Sequence, residues 1–274
     1  MKKMALFIIN SMEQVREKYD LIKNLLEIQV AQNILNNAGI SRSSSVQSKQ
    51  AKKQITYVPN PLDTNYMQLK CEIRTMPTNH PRYQLIDRYV KATSCGRPLT
   101  IVDCFEVQRH GEDAIFNPMN LDNKKLLWHG SRFSNFVGIL SQGMRIAPPE
   151  APRSGYLFGK GVYFADLLGK SFPYACPHLS GGIGTFVLCE VALGNMRPLK
   201  QCDCYADRLP AGYHSTHAIG GQRPNPSGSE TVEGDIEVPL GKVENHSDGR
   251  GSCPNEFVVY NTNQIKMRYI VRVR

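Results

Sequence analysis

The sequence has no apolar stretch that approaches the roughly 20 consecutive residues needed to span a membrane. Its first residues, Lys2–Ile9, combine positive charge with an apolar run, as signal peptides do. That run is short, however, and no small-residue cleavage site follows it. We therefore interpret this segment as part of a helix or its lead-in, and we expect an intracellular protein with no membrane partner.

A disulfide framework is also missing. The chain has eight cysteines in 274 residues, and they are scattered without the regular spacing of a disulfide-rich domain. In a chain of this length, such a distribution favours free thiols in a reducing compartment. The composition, 41% hydrophobic and 21% charged, excludes large-scale disorder, and the length allows one large domain with an appendage.

The common phosphate-binding loops are excluded by their spacing. The segment Gly155–Gly161 is one residue short of a Walker A loop before Lys160, and Gly161 stands where that loop has its Ser or Thr. The segment also precedes a predicted strand, whereas the dinucleotide-binding fingerprint opens a helix. What remains is a loop in which the backbone approaches a ligand closely.

The signal for a metal site is weak. Cys202 and Cys204, followed by His214 and His217, have the composition of a zinc site. Their C-x-C spacing is tighter than in zinc fingers, and the intervening segment is rich in turn residues. We favour scattered loop residues over a structural zinc, and we expect no metal.

The formal net charge of +9 favours acidic partners such as nucleic acid, phosphates or an acidic polymer. The visible basic cluster lies in a Ser/Gln-rich stretch and consists of Arg42, Lys49, Lys52 and Lys53. We interpret this stretch as a solvated linker, with a weak nuclear address as the alternative.

A helix is predicted over residues 11–37, because apolar residues recur there at three- and four-residue steps. Ser11 and Gln14 form a capping box at its start, and Gly39 supplies its C-terminal stop. The apolar stripe must pack against another part of the chain, and it comprises Val15, Tyr19, Ile22, Leu26, Val30 and Ile34.

The rest of the chain predicts two further helices, Tyr83–Ala92 and Phe136–Leu140, and a first strand or turn at Asn65–Leu69. The predicted strands are Thr100–Val107, Lys125–Trp128, Gly161–Phe164, Thr185–Leu193, Glu256–Tyr260 and Met267–Val273. We interpret Pro198–Cys253 as a long, mostly irregular region with strand fragments at Val232 and at Ile236–Val238. Because strands and helices do not alternate regularly, the predicted fold class is α+β with a mixed or antiparallel sheet.

Three polar side chains stand inside or beside apolar runs that read as buried strands. His129 follows Leu126–Trp128, Tyr163 lies within Gly161–Phe164, and Glu256 precedes Phe257–Tyr260. Taken singly, they are typical of a satisfied core histidine, a core aromatic residue and an edge-strand charge. Together they indicate a preformed, largely dry site for a polar ligand with a sugar and a flat ring, because burying polar groups is costly unless they are used.

A family resemblance covers the chain from about Ser11 to Arg274. The matching segments are Leu126–Ser131, Asn135–Gly143, Arg145–Pro152, Phe158–Asp166, Glu190–Gly194 and Asn255–Glu256. In these segments the chain resembles the catalytic region of the poly(ADP-ribose) polymerases, which are diphtheria-toxin-like ADP-ribosyltransferases. The resemblance implies an ADP-ribosyltransferase fold with mixed or antiparallel sheets around an NAD cleft. It also implies that residues 51–274 form a catalytic domain and that residues 1–50 form a helix and a linker before it.

The implied reaction is transfer of ADP-ribose from NAD to protein acceptors and to growing ADP-ribose chains, with release of nicotinamide. NAD is then a substrate, and no metal is needed because the leaving group is a cationic ring that departs as a neutral amide. Mono-ADP-ribosyl transfer and a catalytically weak NAD- or ADP-ribose-binding module are the alternatives. A nucleic-acid-binding domain is disfavoured, because aromatic and basic residues do not interleave.

The resemblance also implies roles for individual residues. The backbone of Gly130 would bind the nicotinamide carboxamide, where a side chain would block the approach, and the Ser171 hydroxyl would complete that contact. Tyr163 and Tyr174 would stack on the ring. The remaining NAD contacts would come from His129, Ser131, Asn135, Arg145 and Tyr156.

Glu256 would bind the nicotinamide ribose hydroxyl, stabilise the developing positive charge, and orient an incoming ribose hydroxyl during chain growth. Lys170 would lie beside the same acceptor path. The implied catalytic set is thus His129, Tyr163, Glu256 and Lys170, and its glutamate is typical of members that build polymers. The chain departs from the family pattern on the acceptor side at Lys124, Leu157 and Pro254.

The N-terminal helix resembles only the last helix of the regulatory subdomain that shields NAD in unactivated family members. From this resemblance we expect a nuclear protein of the DNA damage response, with the cytoplasm as an alternative location. We expect DNA to act only indirectly, because no DNA-sensing module is recognised in the sequence.

We therefore predict that the chain binds and turns over NAD without DNA. Nicotinamide release should be equal with and without nicked DNA in the assay, because the shielding helices are not recognised in the sequence. A large stimulation by DNA would contradict this expectation.

Overall fold

The computed structural model describes residues 11–43, 60–150, 153 and 155–274. The predicted lead-in at Lys2–Ile9 lies outside these residues, as does the part of the predicted linker Gly39–Gln54 that follows residue 43. The chain divides into a helical unit, Met1–Cys71 with Ser134–Gly143, and a sheet-containing unit, Glu72–Phe133 with Met144–Arg274.

The helices and strands are numbered in chain order. The helices are α1 (Met12–Ser43), α2 (Pro61–Gln68), α3 (Pro81–Thr93), α4 (Glu112–Ile115), α5 (Phe136–Gln142) and α6 (Leu168–Ala175). The strands are β1 (Cys71–Thr75), β2 (Ile101–Arg109), β3 (Lys124–Gly130), β4 (Val162–Phe164), β5 (Gly184–Ala192), β6 (Met196–Leu199), β7 (Ser215–Ala218), β8 (Gly220–Pro224), β9 (Glu230–Val232), β10 (Ile236–Val238), β11 (Val243–Asn245), β12 (Arg250–Pro254), β13 (Glu256–Val259) and β14 (Ile265–Val273).

In the helical unit, α1 packs against α2 and α5. Its N-terminal cap is as predicted, since the Gln14 amide donates to the Ser11 Oγ at 3.2 Å. The predicted stop at Gly39 is wrong, because the helix continues to Ser43. A glycine inside a helix costs only about 1 kcal/mol relative to alanine, so it does not end a helix by itself.

The apolar stripe of α1 is only partly covered. Four of its members are half-buried, but Ile22 and Leu26 are more than half exposed. The predicted strand or turn at Asn65–Leu69 is also wrong, since these residues belong mainly to α2. Local capping accounts for this helix, because the Asn60 side chain accepts from the Leu62 amide at 3.0 Å and Pro61 occupies the first turn.

In the other unit, the largest sheet has seven strands in the order β1-β2-β14-β5-β3-β10-β9. Strand β5 is buried along its whole length. Helices α3 and α6 contribute apolar residues to the core formed with this sheet, and the Tyr89 ring lies 4.9 Å from the Trp128 ring. Strand β3 is therefore held at the centre of the core, where its end can carry a rigid site.

Two smaller sheets complete this unit, with the orders β4-β13-β7-β6 and β11-β8-β12. The pairs β3–β10, β6–β7 and β8–β12 are parallel, whereas β4–β13 and β13–β7 are antiparallel. The α+β prediction with mixed sheets is thus confirmed. The interpretation of Pro198–Cys253 as mostly irregular with strand fragments is confirmed, since Val232 lies in β9 and Ile236–Val238 forms β10. The region also contains β7, β8, β11 and most of β12, which the sequence did not indicate.

Among the residues that the structure describes, we find no helix with the length and apolar character of a membrane span.

The Tyr89 hydroxyl lies in the fully buried core and contacts the Leu126 and Asp166 carbonyl oxygens at 3.0 and 3.2 Å. We predict that Tyr89→Phe lowers the free energy of unfolding by about 1 kcal/mol, because it removes the buried hydrogen bond that the hydroxyl donates. Urea unfolding measures this value. Tyr83→Phe, a half-buried control on the same helix, should have a smaller effect, and equal effects would contradict the prediction.

Candidate active site

The site forms where β3, β4 and β13 meet. A two-hydrogen-bond bridge links β3 to the residue after β4: the Trp128 amide donates to the Ala165 carbonyl at 2.8 Å, and the Ala165 amide donates back at 3.0 Å. Strand β4 then pairs with β13, with Tyr163 opposite Val258. These two links bring the strands that carry His129, Tyr163 and Glu256 together.

His129 and Tyr163 are in direct contact. The His129 Nδ1 atom lies 2.9 Å from the Tyr163 carbonyl oxygen. A carbonyl oxygen only accepts hydrogen bonds, so the proton of this contact is on Nδ1. The contact therefore fixes the orientation of the imidazole against β4.

The Tyr163 phenol is held by the loop that precedes β4. Its hydroxyl donates to the Gly159 carbonyl at 2.7 Å and accepts from the Phe158 amide at 3.0 Å. Burial raises the pKa of Tyr163 above its ordinary value, so the phenol is neutral across the physiological range. The ring, with Tyr156 6.3 Å away, is therefore suited to stacking.

The glycines of this loop are explained by the protein itself. A Cβ atom at Gly161 would lie 2.6 Å from the Val258 side chain, and one at Gly159 would lie 2.5 Å from the Asp207 amide. Gly159 also has a positive φ of 74°. The close backbone approach expected for this loop is therefore an approach to β13 and to the Asp207 segment.

Helix α6 packs its Ser171 against the end of β3. The Ser171 Oγ donates to the Trp128 carbonyl at 3.3 Å, and a Cβ atom at Gly130 would lie 2.1 Å from the Ser171 carbonyl oxygen. Glycine is thus required at position 130 by this packing alone. Tyr174, on the same helix, is 58% exposed.

Glu256 is buried, with 7% of its surface exposed, and it contacts two cations. The Lys170 Nζ lies 3.3 Å from its Oε1 atom, and the Arg250 Nη2 lies 3.0 Å from the same oxygen. The pairing of Lys170 with Glu256 joins two residues that the sequence indicated separately. Arg250 was missed, although it lies six residues before Glu256 between Gly249 and Gly251.

A second buried carboxylate, Asp166, lies next to this arrangement. The Asn255 side chain donates to its Oδ2 at 2.7 Å and accepts from the Gly220 amide at 2.8 Å. Burial raises the pKa of Asp166 to about 6, and the hydrogen bond from Asn255 opposes this rise. The contact ties the chain after β4 to the residue before Glu256.

The other predicted residues are more dispersed. Ser131 is half-buried just beyond β3, and Arg145 is exposed. The segment after Arg145 is held by the buried Lys160, whose Nζ donates to the Pro148 and Pro149 carbonyl oxygens at 2.8 and 2.6 Å.

Asn135 belongs to the helical unit. It is buried there, and its Nδ2 donates to the Asn24 Oδ1 at 3.4 Å.

The residues considered for zinc have separate surroundings. Cys202 and Cys204 are exposed, His214 accepts from the Asn195 amide at 3.1 Å, and His217 stacks on Phe257 with ring centroids 4.8 Å apart. Within residues 11–43, 60–150, 153 and 155–274, no group of three or more His, Cys, Asp or Glu could hold a metal ion.

Comparison with known proteins gives one consistent match. Residues 81–274 match the family model "Poly(ADP-ribose) polymerase catalytic domain". The chain is 39% identical to "Poly [ADP-ribose] polymerase 2" of Arabidopsis thaliana, over 100% of this chain and 41% of that protein. It is 41% identical to "Poly [ADP-ribose] polymerase 2-B" of Oryza sativa, over 99% of this chain and 43% of that protein. It is 37% identical to "Poly [ADP-ribose] polymerase 1" of Danio rerio, over 97% of this chain and 25% of that protein. The chain thus spans less than half the length of these relatives.

We predict a pH-dependent stability effect at Asp166. The pKa of Asp166 is higher in the folded state than in the unfolded chain. Its contribution to the free energy of unfolding therefore falls as pH rises from about 4 through about 6. The Asp166→Asn variant lacks this ionisation. Its free energy of unfolding, relative to the unsubstituted chain, should increase by about 1 kcal/mol between about pH 5 and about pH 8.

Denaturant unfolding at several pH values measures this difference. Asp122→Asn, at an exposed carboxylate, serves as the control and should show little change with pH. A pH-independent difference for Asp166→Asn would contradict the assignment.

Proposed function

The chain belongs to the poly(ADP-ribose) polymerase catalytic-domain family, and on that premise we propose that it is an NAD⁺ ADP-ribosyltransferase. It transfers ADP-ribose from NAD to protein acceptors and to growing ADP-ribose chains, and it releases nicotinamide. The observation that carries this proposal is the buried, ion-paired Glu256 on the strand next to Tyr163. A buried carboxylate beside an aromatic ring suits a cationic transition state formed from a sugar with a flat leaving group.

The nicotinamide end of NAD would be held at the end of β3. Gly130 would offer its backbone to the carboxamide, and Ser171 would use the remaining capacity of its hydroxyl for the same group. Tyr163 would stack on one ring face and the exposed Tyr174 on the other. The fixed Tyr163 phenol supports this role, because its two backbone contacts keep the ring in one orientation.

The adenosine end would be bound by His129 and Ser131, with Tyr156, Arg145 and Asn135 as further contacts. A neutral imidazole with its proton on Nδ1 has an acceptor at Nε2, and such an acceptor suits a ribose hydroxyl donor. The exposed Arg145 suits a phosphate, because guanidinium groups bind phosphates with paired hydrogen bonds.

Glu256 would accept a hydrogen bond from the nicotinamide ribose and stabilise the positive charge that develops as the carbon–nitrogen bond breaks. During chain growth it would also orient the hydroxyl of the acceptor ribose. Lys170, 3.3 Å from Glu256, would hold the carboxylate in place through this ion pair and lie beside the acceptor path. NAD is a substrate in this scheme, and the reaction needs no metal.

We also propose the domain limits and the setting. Residues 51–274 form the catalytic domain, and residues 1–50 contribute one helix of a regulatory subdomain with its linker. The partners are NAD, protein acceptors and poly(ADP-ribose), while DNA acts only indirectly. We propose a nuclear location, with the cytoplasm as the alternative, and a role in the DNA damage response, because membership of this family favours them.

We predict that Glu256→Gln lowers elongation by about 100-fold or more, because the amide cannot supply the charge that the transition state requires. The affinity for NAD should change by less than about threefold, since an amide oxygen still accepts the ribose hydrogen bond. Incubation with labelled NAD, followed by gel electrophoresis and nicotinamide measurement, reports product length and turnover together.

Glu106→Gln makes the same chemical change at an exposed position on β2, and it should leave the product ladder unchanged. A single labelled band from the unsubstituted chain would indicate a mono-ADP-ribosyltransferase. Binding of NAD without nicotinamide release by either form would instead indicate a binding module.

A further inference from the structure

Arg250 is a half-buried cation that contacts the carboxylate of Glu256. Its side chain is 11% exposed, and its Nη2 atom lies 3.0 Å from Glu256 Oε1 and 3.3 Å from the Pro254 carbonyl oxygen. Its guanidinium carbon lies 4.7 Å from the centre of the fully buried Phe158 ring. The amide of Phe158 in turn donates to the Tyr163 hydroxyl. Arg250 therefore contacts Glu256 directly and also contacts a residue that holds Tyr163 in place.

The backbone around Arg250 is also constrained. Its amide donates to the Ile219 carbonyl at 3.0 Å. A Cβ atom at Gly249 would lie 2.2 Å from the Gly220 carbonyl oxygen, and Gly251 has a positive φ of 51°. The two glycines allow β12 to approach β8 closely, and this approach fixes where the arginine enters the site.

Both cations engage the same carboxylate oxygen. Arg250 donates a hydrogen bond to Oε1 at 3.0 Å and Lys170 lies 3.3 Å from it, so a substrate hydroxyl would compete with two cations for this oxygen. Two positive charges against one negative charge also leave the cluster with a net charge of +1. A carboxylate in this setting stabilises a nearby cationic sugar less than it would with a single cationic partner.

We propose that Arg250 is a positioning residue that limits product length by holding Glu256 Oε1. This inference rests on the proposed function. In the first transfer, Glu256 needs to contact only the donor ribose. In elongation, it must contact the donor ribose and an acceptor ribose hydroxyl at the same time. With Oε1 engaged by two cations, both hydroxyls depend mainly on Oε2, so elongation is impaired more than the first transfer.

The reaction is the same in both cases. The acceptor oxygen forms a bond to the anomeric carbon of the nicotinamide ribose, and the bond from that carbon to nicotinamide breaks. The electron pair of the broken bond returns to the ring nitrogen, which leaves as neutral nicotinamide. For a ribose acceptor, the hydroxyl proton passes to the Glu256 carboxylate and then to water.

The test compares three substitutions at Arg250. Arg250→Gln and Arg250→Met remove the charge, and the methionine retains apolar packing on Phe158. Both should produce longer ladders from labelled NAD, with elongation relative to first attachment raised by about threefold to tenfold. The KM for NAD should change by less than about twofold, because Arg250 acts through Glu256.

Arg250→Lys keeps the charge, and its products should have the same length as those of the unsubstituted chain. Arg223→Gln is the matched control, since Arg223 lies on neighbouring β8 and pairs with Asp248 at 2.8 Å. It should leave product length unchanged. Thermal unfolding of each variant checks that the fold is retained.

Unchanged or shorter ladders for both uncharged variants would overturn the inference while leaving the proposed function intact. Failure of both uncharged variants to fold would also overturn it, because the role of Arg250 would then be structural. If the unsubstituted chain and all variants released no nicotinamide, the proposed function itself would fail, and the inference with it.

Discussion

The two backbone hydrogen bonds between Trp128 and Ala165 are the contact on which the site depends. Strand β3 belongs to the seven-stranded sheet, whereas β4 belongs to the four-stranded sheet, and this bridge joins them. Because the Trp128 side chain is fully buried, neither partner can shift without disturbing the core. The positions of His129 and Tyr163 therefore follow from core packing and do not require a ligand.

The second constraint is charge burial around Glu256. A buried carboxylate is costly unless it is paired, and Lys170 and Arg250 supply the pairing from α6 and β12. The neighbouring Asp166 has an amide partner in Asn255, and burial raises its pKa to about 6. Two buried carboxylates close together in the fold thus differ in their partners: one is held by cations and the other by an amide.

The secondary-structure predictions were accurate where the spacing of apolar residues along the chain gave a clear local pattern. Strands β5 and β14 were identified because long buried strands are rich in apolar residues, and α3 because its apolar residues follow helical spacing. Strands β7, β8, β11 and β12 were missed because they are three to five residues long and mostly polar or glycine-rich. They form through pairing with distant segments, which local pattern cannot report.

The sequence by itself determined the fold class and singled out His129, Tyr163 and Glu256, because a polar residue beside an apolar strand is a local signal. The family likeness of the same segments is confirmed by the comparisons. Only the tertiary structure decided that Arg250 contacts Glu256, that Gly130 is required by Ser171, and that Asn135 lies in the helical unit. The physical reason is that these contacts depend on how strands and helices pack in three dimensions, and neither residue type nor spacing encodes that packing directly.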